Sequence, residues 1–345
     1  MVIRHRRLKS FFLLCGLTVF SAFSHANTRE DIEARISELN NELSRLHQQL
    51  QQAEALEEEG QTDTGDIRPP EEVAIEDLNE RRQLEQESSR NPFSITTHRT
   101  NYLFPVSYNE KQNRENFKSV SSDASPDSTE LKFQFSAKVN LAENVLWGEY
   151  GDVYFGYTQR SWWQAFNTEA SSPFRETNYE PEVFIDIDAP WGALGWVNTR
   201  NRIAVNHQSN GRSDPFSRSW NRVYLESIFQ SGDWAVTFAP HWRVPESEGD
   251  DDNPDIDRYM GYGDIRIAKR LDDNHEVSGQ LRGNPSAGNM GTQIDYSWPA
   301  FNSLRAHVQY YYGYGESLID YDHRVHRLSI GFSLNPLFSA SGLNR

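Results

Sequence analysis

Lys132-Phe133-Gln134-Phe135-Ser136-Ala137-Lys138-Val139-Asn140-Leu141 alternates polar and apolar side chains without a break. A strand turns successive side chains to opposite faces, so this stretch has one polar and one apolar face. The same period recurs downstream. Trp234, Val236 and Phe238 alternate with Ala235, Thr237 and Ala239, and Leu328, Ile330, Phe332 and Leu334 with Ser329, Gly331 and Ser333. From Asn91 onward the pattern predicts twelve strands, at roughly 95–108, 131–142, 149–163, 176–188, 193–209, 218–230, 233–244, 257–270, 274–283, 289–298, 304–314 and 323–334. Long connections (109–130, 164–175, 210–217, 245–256, 315–322) alternate with short ones (143–148, 189–192, 231–232, 271–273, 299–303), and 284–288 is intermediate. Such a chain reads as a twelve-stranded antiparallel transmembrane β-barrel, in which only one strand face meets lipid. A soluble sandwich with one buried face would also alternate. The supply of nine Trp and fifteen Tyr favours the barrel, whose interfaces take aromatic girdles.

Working outward, the N-terminus carries Arg4, Arg6, Arg7 and Lys9, an apolar run Phe11–Phe23, and Ser24-His25-Ala26. Residues 1–26 read as a secretory signal peptide, because the apolar run is too short to span a bilayer. The only cysteine, Cys15, lies in this segment, so disulfides, thiolate catalysis and cysteine metal sites are excluded from the exported chain. Losing four basic residues takes the formal charge from −16 to about −20, which argues against nucleic acid as a partner. Ile32, Ile36, Leu39, Leu43, Leu46, Leu50 and Ala53 recur at spacings of 4 and 3. Residues 27–56 therefore read as an amphipathic or coiled-coil helix. Residues 57–90 read as an acidic flexible linker with one short helix near Glu71–Gln86. The barrel takes 91–338, and 339–345 form an extension.

Chemistry concentrates in Asn206–Arg222, N-H-Q-S-N-G-R-S-D-P-F-S-R-S-W-N-R. His207 and Ser209 share the parity of Ile203 and Val205, while Asn221 shares that of Val223 and Leu225. The apolar face thus carries a Ser, a His and an Asn at one end of a hairpin. A serine hydroxyl becomes a useful nucleophile when an imidazole takes its proton, and the imidazole needs a partner to fix its tautomer. Ser209, His207 and Asn221 can fill these roles. The loop 210–217 and the acidic stretch Glu246–Asp257 offer carbonyl, hydroxyl and carboxylate oxygens, for which calcium is the natural ion. A plain solvated acidic loop would look the same. His241, His275, His307, His323 and His326 have no zinc-like spacing.

That stretch, with Y-T-Q-R-S-W-W-Q (157–164), S-S-P-F-R-E-T-N-Y-E-P (171–181), D-D-N-P-D-I (251–256) and Y-x-G-Y-G-E-S-L-I-D-Y (311–321), resembles the outer membrane phospholipase A family over about Asn91 to Phe338. The resemblance implies a twelve-stranded barrel that hydrolyses phospholipid acyl esters at either position, uses calcium and acts as a homodimer. Carried over by motif, it makes Ser209 the nucleophile, His207 the base and Asn221 the orienting residue. Calcium in the dimer would be held by Ser217, the Arg212 carbonyl and the Ser171 carbonyl of the second subunit. Asp214 and Asp252 match a second calcium arrangement, and Gln159 a polar residue at the dimer interface. Seven residues follow Phe338, where the family usually stops, and the heptad helix is not part of the family pattern. Two rival functions are a passive pore and a tether that engages partners through residues 27–90.

Overall fold

A computed structural model describes residues 69–89, 95–146, 151–188, 190–271, 274–301 and 304–334, with Arg45 apart. The expected signal peptide, the rest of the heptad helix and the C-terminal extension lie outside these. The chain divides into Met1–Ile67 and Arg68–Arg345, and the second unit is the one described below.

Its strands are β1 (Thr96–Thr97), β2 (Tyr102–Asn109), β3 (Thr129–Ala142), β4 (Asp152–Trp163), β5 (Phe174–Ile187), β6 (Trp191–Ala193), β7 (Trp196–Ser209), β8 (Ser219–Ser231), β9 (Trp234–Arg243), β10 (Gly263–Arg270), β11 (Glu276–Asn284), β12 (Asn289–Phe301), β13 (Leu304–Gly313) and β14 (Val325–Ser333). Twelve of them close an antiparallel ring, with β1 paired to β3 and β6 to β7 as short additions. The seam joins β14 to β2, and there Ser107 and Ser329 share a hydroxyl hydrogen bond of 2.8 Å.

The faces are inverted relative to a soluble domain. On β3, Glu130, Lys132, Gln134, Ser136 and Lys138 are buried, while Phe135 is 54% exposed and Leu141 57%. On β7, Arg202, Asn206 and Gln208 are buried, and Val205 is 62% exposed. Apolar side chains outside and charged ones inside fit a barrel wrapped in lipid and exclude the sandwich. The interior charges are tolerable because most are paired. Arg175 joins Glu130 (2.9 Å) to Asp320 (2.6 Å), Arg327 joins Glu130 (2.8 Å) to Glu316 (2.9 Å), and Lys132 also meets Glu316 (2.9 Å). Arg202 holds Asp186 and Arg282 holds Asp264, both at 2.6 Å. A polar cavity of about 160 Å³ remains among Arg99, Arg160, Arg266, Asp295 and His307.

Residues within the expected acidic linker form the helix α1 (Pro70–Ser89). Pro70 and the acids Glu71 and Glu72 open it, as suits the positive end of a helix dipole. It packs on β7 and β8 at the barrel end opposite the long connections, with Ala74 and Leu78 buried. Asp77 accepts from Gln230 (2.5 Å) and Arg270 (3.2 Å), and the Gly232 amide donates to the Pro70 carbonyl. A second short helix, α2 (Arg114–Phe117), lies in the β2–β3 connection.

Two strand expectations need correction. The strand expected at 257–270 begins at Gly263, because Ile256–Met260 form the short helix α3. Ile256 and Met260 pack on Trp220, Leu318 and Tyr321, so their apolar pattern reports a loop core. Gly261 then turns the chain at φ 70°, where a Cβ would lie 1.8 Å from the Gly283 carbonyl oxygen. The strand expected at 95–108 is broken at 98–101. There the Asn101 side chain accepts from the Ser136 amide (2.7 Å) and donates to its carbonyl (3.0 Å), replacing a ladder pair.

Candidate active site

β7 and β8 pair antiparallel with His207 opposite Asn221 and Ser209 opposite Ser219. Inward side chains lock this pair from beneath. Trp220 donates to Gln208 (2.8 Å), and Arg222 donates to Asn206 (2.6 Å) and Glu180 (3.0 Å) while stacking 4.2 Å from the Trp220 ring. The alternation then leaves His207, Ser209 and Asn221 on the outer face, directly beyond exposed Ile203 and Val205.

His207 Nδ1 lies 2.8 Å from Asn221 Oδ1. An amide oxygen is only an acceptor, so Nδ1 carries the hydrogen and Nε2 is free to accept a proton. Ser209, two residues on, shares the His207 face. The amide nitrogen of Asn221 donates to Glu246 at 2.9 Å, a contact that parity and spacing could not signal because Glu246 lies beyond the end of β9.

The loop after Ser209 is shaped by Asn210. Its side-chain oxygen accepts from the Arg212 (3.3 Å) and Arg218 (3.0 Å) amides, and its nitrogen donates to the Phe216 carbonyl (2.9 Å). The Arg212 guanidinium turns away to Glu176 (3.3 Å) and the Arg175 carbonyl (2.5 Å). Ser217 Oγ donates to Asp252 at 2.6 Å, Ser219 Oγ is 3.5 Å from the same oxygen, and the Ser219 amide donates to Asn253 (2.9 Å). The 210–218 loop and the acidic stretch therefore meet beside the His–Asn pair. Tyr321 donates to Asp255 (2.5 Å) below them; burial, helped by that bond, pushes its phenol above the ordinary range.

Asp214 is exposed at the loop tip, and Ser171, at φ 59°, is exposed on the separate connection 164–173 of the same rim. Gln159 faces outward on β4, accepting from Tyr157 and donating to Ser161, each at 3.2 Å. Registers place Gln159 opposite Tyr179 and Tyr179 opposite Ser209, so all three share one level of the outer surface. His241, His275, His307, His323 and His326 are dispersed, for example His307 on Asp295 (2.9 Å) and His241 on the Gly261 carbonyl (3.0 Å). Among the described residues no group of three or more His, Cys, Asp or Glu could hold a metal. An ion at this rim would rely on hydroxyl and carbonyl oxygens beside Asp252, a donor set that fits a hard cation.

The phospholipase A1 family model matches residues 78–334. Phospholipase A1 of Klebsiella pneumoniae is 40% identical over 248 residues, 72% of this chain and 85% of that protein. A Salmonella typhi outer membrane phospholipase, solved as a dimer with bound calcium, aligns with a TM-score of 0.67 at 38% identity, covering 71% of this chain and 93% of that one. An active-site Asn-to-Ala mutant of outer membrane phospholipase A from Escherichia coli aligns with a TM-score of 0.68 at 36% identity, covering 79% and 99%.

Proposed function

This chain belongs to the phospholipase A1 family and is an outer membrane β-barrel phospholipase; on that premise we propose that it cleaves both acyl esters of phospholipids with Ser209, His207 and Asn221, depends on calcium, and acts as a homodimer. The observation that carries the reading is the 2.8 Å contact of His207 with Asn221 on the outer face, at the end of an apolar belt. Polar side chains are costly against lipid, so a hydrogen-bonded His–Asn pair there calls for a function.

A glycerophospholipid in the outer leaflet brings its ester to the level of Ser209 by lateral diffusion. Asn221 holds Nδ1–H, His207 Nε2 takes the Ser209 proton, and Oγ attacks the carbonyl. His207 returns the proton to the departing lysophospholipid oxygen, and water then frees the fatty acid from Ser209 by the same relay. Calcium would be held in the dimer by Ser217, the Arg212 carbonyl and the Ser171 carbonyl of a second copy, with Asp214 and Asp252 serving a second arrangement, and would supply positive charge for the developing oxyanion. The dimer and the ion are supported by the Salmonella typhi relative, and an active-site asparagine by the Escherichia coli one. Gln159, level with Ser209, is suited to a two-barrel contact that closes a groove around an acyl chain.

The test is hydrolysis of phosphatidylcholine in detergent, with calcium or chelator. S209A and H207A are each expected to lose activity at least about a thousandfold, with N221A milder, and all three barrels still heat-modifiable. An active S209A refutes the mechanism.

A further inference from the structure

We infer that Glu246 is a positioning residue that fixes the orientation of the Asn221 amide, making the proposed triad a relay of four side chains. The inference rests on that triad reading and goes one residue beyond it. The backbone supplies the first argument. The Val244 amide donates to the Asn221 carbonyl at 2.8 Å, so the chain leaving β9 stays in register with β8 and delivers Glu246 beside Asn221. The side chain supplies the second, because Glu246 accepts from the Asn221 amide nitrogen at 2.9 Å.

A carboxylate only accepts, so the NH₂ end of Asn221 is committed to Glu246 and its oxygen to His207. A free amide could rotate by half a turn and present NH₂ to Nδ1. His207 would then carry its hydrogen on Nε2 and could not serve as base toward Ser209. The hydrogen-bonded carboxylate also polarises the amide, strengthening its oxygen as acceptor for the imidazolium that forms during attack.

Four other acids of the same stretch are engaged elsewhere. Asp250 accepts from Ser247 (2.5 Å), Asp251 holds Arg243 (2.5 Å), Asp252 accepts from Ser217, and Asp255 accepts from Tyr321. Arg243 is thus directed to Asp251, leaving Glu246 as the acid turned to the triad.

Full-length E246A, E246Q, N221A and N221A/E246A proteins, checked for heat-modifiable migration, would be assayed on phosphatidylcholine at saturating calcium, together with Ser209 labelling by an alkyl fluorophosphonate. E246A should lower kcat about three- to tenfold, the range one oriented hydrogen bond commands, and slow labelling equally, with KM unchanged within about twofold. E246Q, which can still accept through its amide oxygen, should lie between E246A and the parent. N221A/E246A should match N221A, because Glu246 acts only through that amide. Parent-like kcat in E246A, an effect confined to KM, additive losses in the double variant, or a calcium midpoint shift with full recovery at saturation would each overturn the inference. Persistent hydrolysis by S209A would remove the triad itself, and that measurement does not involve Glu246.

Discussion

Replacing Asn221 by Asp sets two electrostatic effects against each other. A carboxylate in place of the amide oxygen would strengthen the bond from His207 Nδ1, now 2.8 Å long, by roughly 1 kcal/mol, the margin of a charge-assisted over a neutral hydrogen bond. The same change places a second carboxylate where the Asn221 nitrogen now donates to Glu246 across 2.9 Å. Two unit charges at that separation repel by about 1.4 kcal/mol in water and about 6 kcal/mol at an effective dielectric of 20. Glu246 is half-buried, so an intermediate cost of about 3 kcal/mol applies. The net loss is roughly 2 kcal/mol, or about thirtyfold in kcat. Removing the second charge should reverse the sign. E246Q, mildly harmful in the parent, should raise activity about tenfold or more in N221D, because Gln can donate to the new carboxylate. Initial rates on phosphatidylcholine for the four proteins of this cycle measure the coupling directly. N221D as active as the parent, or E246Q harmful in both backgrounds, would refute the reasoning.

Other perturbations test the barrel and its rim. E316A should lower the midpoint of heat-modifiability by the equivalent of about 3 kcal/mol, because Glu316 answers both Lys132 and Arg327 in the interior. Burial alone would raise the Glu316 carboxyl, but Arg327 and Lys132 pull it down to about 2 from 4.5. Its contribution is therefore present above the ordinary carboxylate range and lost as pH falls from about 4.5 toward about 2, a loss that acid-dependent thermal scans should show in the parent and not in E316A. Cysteines at Asp250 or Ser121 should react with an impermeant reagent on intact cells, and one at Glu143 only after the outer membrane is opened; the reverse would invert the barrel. S217N should weaken calcium activation and calcium-promoted dimerisation together in detergent sizing, whereas equal dimer content with and without calcium in both proteins would dissociate the two.

The strands were legible because lipid outside and paired charges inside force a strict two-residue period, as on β3. Where another interaction replaces the ladder, the period misleads. Asn101 substitutes its side chain for backbone pairing with Ser136. Ile256 and Met260 look like strand residues but pack down onto Trp220 in a helical turn. The acidic composition of 57–90 conveys charge, not the docking of Asp77 on Arg270. At the site, parity put His207, Ser209 and Asn221 on one face since all three ride on paired strands. Glu246 was invisible because its position depends on how an irregular segment leaves β9.

The seam between β14 and β2 lies on the opposite side of the ring from the β7–β8 hairpin. His207 and Asn221 are 14 residues apart in sequence, whereas Ser107 and Ser329 at the seam are separated by 222. Formation of the β7–β8 hairpin is therefore a local event, while ring closure is a long-range one and the slower of the two. A nascent barrel arrested before closure would already carry the β7–β8 hairpin but no sealed wall behind it. It follows that damage at the last strand should reach activity through the yield of inserted protein, with the turnover of each surviving molecule unchanged.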